Sequence, residues 1–382
     1  MSNLKQLFLL DPEIIFLNHG SFGACPKRVF EEYQHWQRKM ELQPIYFFNE
    51  LLMPALHNAR KKLADYIHAS EDSLVFIPNT TFGVNAVARS LPLSRGDEIL
   101  STNHEYGACD KTWQFICNKT GALYIKCPIQ IPLASNEECI EQFWSGVTDR
   151  TKVIFLSHIT SSTAYLLPVK KICARARKAG IITVIDGAHA PGQISLDLED
   201  IGADFYTGNA HKWLCAPKGA AFLYTRKEMQ HVIEPLIVSW GWGKERQFST
   251  GSDFLDYYQW TGTNDYAAYL SVPAAIQFQR EYNPSEVRDE CHELLRSALQ
   301  SIEKTTSCES MYIDDSFYRQ MAVTGLPRID DPATLKNALY RKYRIEIPVI
   351  SWNSRHLLRL TIQSYNTHSE VQNLLTALHE LL

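Results

Sequence analysis

The feature that most constrains this chain is a pair of apolar runs joined by a stretch with helical periodicity. KVIFLS (152–157) is followed by PVKKICARARKAG (168–180) and then by IITVID (181–186). Continuous apolar strands are buried on both faces, and strand–helix–strand units of this kind build a mostly parallel sheet between helices. In the linking stretch Val169, Ile172, Cys173, Ala176 and Ala179 fall on one helical face. Pro168 suits the first helical position, and Gly180 suits the place just past the last. The second run ends in Asp186, as a buried strand leading to a functional end would.

The same alternation begins near residue 55. Ala55, Leu56, Ala59, Leu63, Tyr66 and Ile67 predict a helix, 73–77 a strand, 81–91 a helix and 98–102 a strand. After about residue 265 the texture changes. A long amphipathic helix over 285–304 precedes a strand at 319–324, a helix near 333–343 and strands near 345–350 and 357–362. The last helix opens with Thr367 followed three residues later by Glu370, a capping-box pattern. The chain thus divides into an N-terminal segment (1–25), a large domain (26–264) and a smaller C-terminal α/β domain (265–382). No repeat or Gly/Ser linker separates them.

Composition narrows the function. The 382 residues carry 38 Lys plus Arg against 42 Asp plus Glu, a formal charge of −4, whereas a nucleic-acid binder advertises a basic surplus. No apolar run approaches the ~20 residues that span a bilayer. The first residues, with one Lys and a four-residue apolar run before Asp11, do not read as a signal peptide. Nine scattered cysteines without a CxxC fit reduced thiols, so the expected compartment is the cytoplasm. His104, His158, His189 and His211 lack HxxxH or HExxH spacing and read as polar strand-end residues, with no metal site.

The strongest constellation is DGAH (186–189), followed 26 residues after its Asp by Lys212 in NAHKW (209–213). A lysine in a loop between strands, behind His and small residues, is placed to be desolvated, which lowers its pKa and makes it a nucleophile toward an aldehyde. Asp186 at a neighbouring strand end can hold a protonated ring nitrogen. These two demands are those of pyridoxal phosphate. NTTFG (79–83) offers the hydroxyls of Thr80 and Thr81 and free backbone N–H groups at a helix start, a natural phosphate cradle. Each feature has a plain reading too: a solvated lysine, an Asp capping a turn, a Thr-Thr helix cap. Their order along one α/β frame favours the joint reading.

On these residues the chain resembles the fold-type I, class V aminotransferase group of pyridoxal-phosphate enzymes, which includes cysteine desulfurases, C–S lyases and isopenicillin N epimerase-like proteins. FLNHGSFG (16–23), HEYGA (104–108), SHITSS (157–162) and DGAHAPG (186–192) are similar to the epimerase-like branch. The resemblance implies a seven-stranded, mostly parallel sheet with a smaller C-terminal domain. It makes Lys212 the Schiff-base lysine and Asp186 the ring-nitrogen partner. It puts Tyr106 on the pyridine face, His189 and Ser161 near the ring hydroxyl, and Thr81, Asn209 and His211 on the phosphate. Thr263 in GTN (262–264) is implied to reach the partner's phosphate in a homodimer. Arg359 is implied to hold the substrate carboxylate, and His19 to approach the substrate, with a second proton donor as one role and loop ordering as the other. Desulfurases carry a nucleophilic Cys shortly before that Arg, and no Cys follows Cys308 here. The expectation is therefore an amino-acid enzyme, epimerase-like first, with a C–S lyase as the alternative and a non-catalytic cofactor-binding module as the third reading.

Overall fold

The computed structural model describes residues 4–246, 249–329 and 331–382. Leu74–Ile77 (β1), Glu98–Thr102 (β2), Leu123–Cys127 (β3), Thr151–Ser157 (β4), Ile182–Asp186 (β5), Phe205–Asn209 (β6) and Ala221–Thr225 (β7) form one sheet. Its order is β1-β7-β6-β5-β4-β2-β3, and β7 alone runs against its neighbours. Alternate residues feed two cores, one per face. Val153, Phe155, Val184 and Phe205 join one, and Ile154, Leu156, Ile185 and Tyr206 join the other. Burial on both faces is why these strands read as unbroken apolar runs.

Helices Lys27–Leu42 (α1) and Leu52–Ile67 (α2) precede the sheet. The first has no counterpart in the sequence reading; Val29 is its one fully buried residue, with Tyr33, Trp36 and Met40 half-buried along the same face. Thr80–Ser90 (α3) and Gly107–Thr120 (α4) start at the ends of β1 and β2. Val169–Lys178 (α5) links β4 to β5 with Pro168 at the N-cap, one place earlier than expected, and Gly180 at φ 68°.

Ser285–Thr306 (α6) leads into a three-stranded antiparallel sheet of Met321–Gly325 (β8), Val349–Trp352 (β9) and Arg355–Thr361 (β10), ordered β9-β10-β8. The strand expected over 345–350 is two strands. Ile345–Glu346 pairs in parallel with Ile15–Phe16, and Val349–Trp352 pairs with β10. Pro348 separates them: it lacks an N–H, and its carbonyl accepts from Arg359 N at 3.1 Å. The β9–β10 turn is made by Asn353 and Ser354, at φ 46° and 61°. The final helix, His368–Leu381 (α7), carries the full Thr367–Glu370 capping box.

The N-terminal segment is held by these C-terminal elements. Leu17 N donates to Glu346 O (3.0 Å), Thr361 N donates to Leu17 O (3.2 Å), and Asn366 Nδ2 donates to Phe16 O (3.0 Å). Residues 18–23 are thereby carried to the C-terminal edge of the large sheet, where the strand ends carry the chemistry. No helix among the described residues is long and apolar enough to cross a membrane.

Candidate active site

A cavity of about 410 Å³ opens at that edge, lined by residues from the ends of β1, β4, β5 and β6, from the start of α4 and from the N-terminal segment. Crevices at the carboxyl ends of strands are where open α/β sheets bind ligands. Thr80, Thr81, Tyr106, Ser161, Asp186, His189, Asn209, His211 and Lys212 all line it.

Lys212 follows β6 in the turn toward β7. Burial pushes its amine down to about 8, Asp186's charge opposes the shift and Arg359's adds to it. Its Nζ lies 3.2 Å from His189 Nε2. Asp186 ends β5 and is buried. Its Oδ1 accepts from Ala188 N (2.8 Å), and its Oδ2 has only the weak Cys109 thiol donor at 3.5 Å. Burial raises its pKa, a shift opposed by the Ala188 N–H and by Lys212. A cation at Oδ2 would relieve that desolvated charge.

Beside these two groups lies a set of unspent donors at the start of α3. Asn79 caps the helix by accepting from Phe82 N (2.9 Å), and Thr80 N donates to Asn209 Oδ1 (3.0 Å). Asn209 thus braces the helix start through its carbonyl oxygen. The Thr80 hydroxyl is buried without a partner. Such an orphan is costly unless a ligand satisfies it. His211 donates from Nδ1 to Ala220 O at 3.0 Å, which fixes its ring and turns Nε2 outward from that bond. Burial pushes His211 down to about 4; a phosphate beside it would push it back up.

Arg359, on β10, is buried, and no carboxylate of the described residues pairs with it. Its Nη1 donates to Ser161 O (2.7 Å) and to Ser161 Oγ (3.3 Å), and its Nη2 donates to Ser21 Oγ (2.9 Å). The Nε N–H has no partner. Burial pushes this guanidinium down to about 10. A cation so placed is an anion site in want of its anion. Ser161 thus supports the guanidinium from the cavity wall. Tyr106, at the N-cap of α4, is 48% exposed at the cavity mouth.

Two candidates sit elsewhere. Thr263 is exposed and lines a separate hollow of about 250 Å³ with Pro78, Phe82 and Gly262. His19 is buried beneath Lys212, outside the cavity wall. Its Nδ1 is 2.9 Å from Tyr365 Oη, its Nε2 is 3.1 Å from Lys212 O, and its N donates to Thr361 Oγ1 at 2.8 Å. Both ring nitrogens are engaged, and burial pushes its pKa down to about 3.

Sequence reasoning missed Ser21, Cys109, Trp213 and Glu105. Glu105 is buried behind Asp186, accepting from Ser157 N (2.9 Å), Ser157 Oγ (2.5 Å) and Thr102 Oγ1 (2.6 Å). Burial raises it to about 7, helped by Asp186's charge. The signal available was its place in HEYGA, one residue before Tyr106.

Residues 15–374 match the family model described as aminotransferase class-V. An isopenicillin N epimerase of Amycolatopsis lactamdurans is 34% identical over 392 residues, covering 100% of this chain and 98% of that one. A putative L-cysteine desulfhydrase of Oryza sativa subsp. japonica is 28% identical, covering 96% of this chain and 83% of its own. Among solved structures, a mutant of the cystine C–S lyase C-DES, with glycine covalently linked to its pyridoxal phosphate, superposes with a TM-score of 0.87. That pair shares 20% identity over 98% of this chain and 99% of the other, a likeness of fold.

Proposed function

The chain belongs to the class V aminotransferase family, and from that premise we propose that it is a pyridoxal-phosphate enzyme that labilises the α-proton of an amino acid in an isopenicillin N epimerase-like reaction. One observation carries the reading. A single cavity joins a desolvated lysine, a buried carboxylate and a helix start with an orphan hydroxyl, and Ser161 and Ser21 in its wall hold the buried guanidinium of Arg359, which has no acid partner among the described residues. The residues present fit the cofactor. Thr80, Thr81 and His211 suit its phosphate, Asp186 its ring nitrogen, Tyr106 its ring face and Lys212 its aldehyde.

When bound, pyridoxal phosphate supplies an aldehyde for the amine and a pyridinium that accepts the electron pair left at Cα. Everything else is supplied by the chain. Lys212, at about 8, is a nucleophile in its free-base form and a base near neutral pH once displaced by substrate. Asp186 keeps the ring nitrogen protonated, because Oδ2 has no stronger donor. His189 stands beside Lys212 and would hold the cofactor's ring hydroxyl. Arg359 holds the α-carboxylate, with Ser161 and Ser21 fixing its plane. His19 is given a positioning role, since its hydrogen bond to the Lys212 carbonyl sets the lysine's backbone.

That placement of His19 favours a second reading. Epimerisation needs a proton delivered to the face of Cα opposite Lys212, and His19 is not free to deliver it. Loss of a β-substituent, as in a C–S lyase, needs no such donor. Exposed Phe22, Leu42, Ile45, Val238, Trp240 and Trp242, with Thr263 in its separate hollow, support a homodimer in which Thr263 reaches the other subunit's phosphate. All nine cysteines are free thiols, which supports a cytoplasmic setting.

The test is a panel of amino acids with the purified enzyme, following optical rotation together with pyruvate, ammonia and sulfide. Loss of rotation without pyruvate supports epimerisation, and pyruvate with ammonia supports elimination. No turnover of any amino acid by cofactor-loaded enzyme would sink both.

A further inference from the structure

Trp213 follows Lys212 in sequence, is fully buried and donates from Nε1 to His189 Nδ1 at 3.4 Å. An indole N–H is a donor only, so Nδ1 must be the unprotonated nitrogen of that ring. The proton of the neutral imidazole is then on Nε2, 3.2 Å from Lys212 Nζ. This hydrogen bond closes only if Nζ accepts, through the lone pair that an ammonium lacks. The three side chains therefore share one polarity, from indole N–H to Nδ1 and from Nε2–H to Nζ.

The indole has little room to swing. Trp213 O accepts from Gln279 Nε2 at 3.0 Å. Gly192, at φ 90°, approaches so closely that an added Cβ would lie 2.4 Å from Trp213 C and O. The His19 ring lies 5.0 Å from the indole, and its centre is set by Tyr365 and Lys212 O. Adding a proton to His189 Nδ1 would set two donors against each other. A half turn of the ring about Cβ–Cγ would put Cδ2 and Cε1 where the two nitrogens now stand, stranding the indole N–H and losing the contact with Lys212.

We propose that Trp213 is a positioning residue that locks His189 in its Nε2–H tautomer and so favours the free amine of Lys212 over its ammonium. The inference deepens the reading of Lys212 as the cofactor-capturing nucleophile and rests on it. Charged neighbours pull both ways. Asp186 on β5 favours the ammonium, and Arg359 on β10 disfavours it. Cys109 on α4, His19 on the N-terminal segment and His211 beside Lys212 are all held neutral by burial. Burial already favours the free amine against the pull of Asp186, and the lock, which offers a donor where an ammonium would need an acceptor, acts in the same direction. Burial also keeps His189 well below its ordinary pKa, in line with a ring that never accepts a second proton.

The test uses the full-length, cofactor-free chain with ¹⁵N-labelled histidine, and a His189→Gln spectrum assigns the ring. His189 should show a pyridine-like Nδ1 and a pyrrole-like Nε2, unchanged from about pH 6 to about pH 9, where a free imidazole would titrate. A pyrrole-like Nδ1, or titration of His189 in that range, overturns the proposal without any variant. In Trp213→Phe, Nδ1 is freed to take the proton and Nε2 to accept from an ammonium. The apparent pKa of Lys212, read from the pH dependence of pyridoxal phosphate capture, should rise by about one pH unit, roughly a tenfold slower capture at neutral pH. A folded Trp213→Phe with unchanged capture overturns the lock. Should Trp213→Phe not fold, the parent spectrum decides. A locked His189 in a chain whose Lys212→Ala variant still forms a borohydride-reducible adduct would leave the tautomer intact and remove the role of Lys212 instead.

Discussion

Replacing Arg359 separates substrate recognition from cofactor binding. The guanidinium is buried, carries three hydrogen bonds to Ser161 and Ser21, and keeps its Nε N–H unspent. A carboxylate arriving there makes two charge-assisted hydrogen bonds, each contributing about 1.5–3 kcal/mol. Arg359→Lys keeps the charge but loses the planar fork and one of the pair, which should cost roughly ten- to a hundredfold in kcat/KM. Arg359→Met loses both, about 3–6 kcal/mol, and its kcat/KM should fall by roughly two to four powers of ten. The assay compares an amino acid with the amine that lacks its carboxylate, in parent and variants. The parent should prefer the amino acid strongly, the variants should lose most of that preference, and the cofactor's absorbance should stay unchanged, because Arg359 is not part of the cradle at the start of α3. Variants that keep the parent's preference would refute the assignment and return Arg359 to a structural role between β10 and the N-terminal segment.

Other expectations follow from the same geometry. Borohydride should fix the cofactor on Lys212, and mass spectrometry of the digest should find no such peptide from Lys212→Ala. Capture of pyridoxal phosphate by the unloaded protein should quicken about tenfold per pH unit up to about 8 and then level off, because only the free amine attacks; a flat profile would contradict a titrating amine. Asp186→Asn should bind cofactor yet lose turnover by about a hundredfold or more, since an amide cannot supply the charge that keeps the ring nitrogen protonated; near-normal turnover would remove Asp186 from that role. Glu105, raised to about 7, holds its proton more tightly folded than unfolded, so its contribution to stability is complete below its ordinary pKa and is lost as pH rises through about 7. Urea unfolding should show Glu105→Gln losing less stability than the parent between about pH 5 and about pH 8, and parallel curves would count against it.

Much of the fold was legible because its signals are local. The run ending in Asp186, the capped start of α3 and the loop bearing Lys212 each lie within a dozen residues, and the parallel sheet follows from apolar strands alternating with helices. Long-range partners were not legible. The sequence places His19 beside glycines, a fair sign of proximity to a ligand, but its burial depends on Tyr365 and Thr361, which only folding brings near. Ser161 was expected at the ring hydroxyl because its neighbours match a motif; its partner, Arg359, is 198 residues away. The helix α1 was overlooked although Val29, Tyr33, Trp36 and Met40 fall at helical spacing; only Val29 is fully buried and charged residues crowd the rest. Nothing in the string shows which nitrogen of His189 the Trp213 N–H meets.

The pairing of Ile15–Phe16 with Ile345–Glu346, and of Leu17 with Thr361, sets the order in which this protein can be finished. On a ribosome residues 15–17 emerge long before residues 345–361 and must wait for them. The large sheet, complete by Thr225, has all its strands long before β10 exists to receive the N-terminal segment. Closing a loop of about 340 residues costs about 5 kcal/mol of chain entropy, regained only when both ends dock together. Until then Lys212 lacks the imidazole beneath its carbonyl, and Arg359 has not met Ser21. A nascent chain that has not yet reached β10 is thus a sheet with half a pocket, completed only when residues 15–21 meet 345–361.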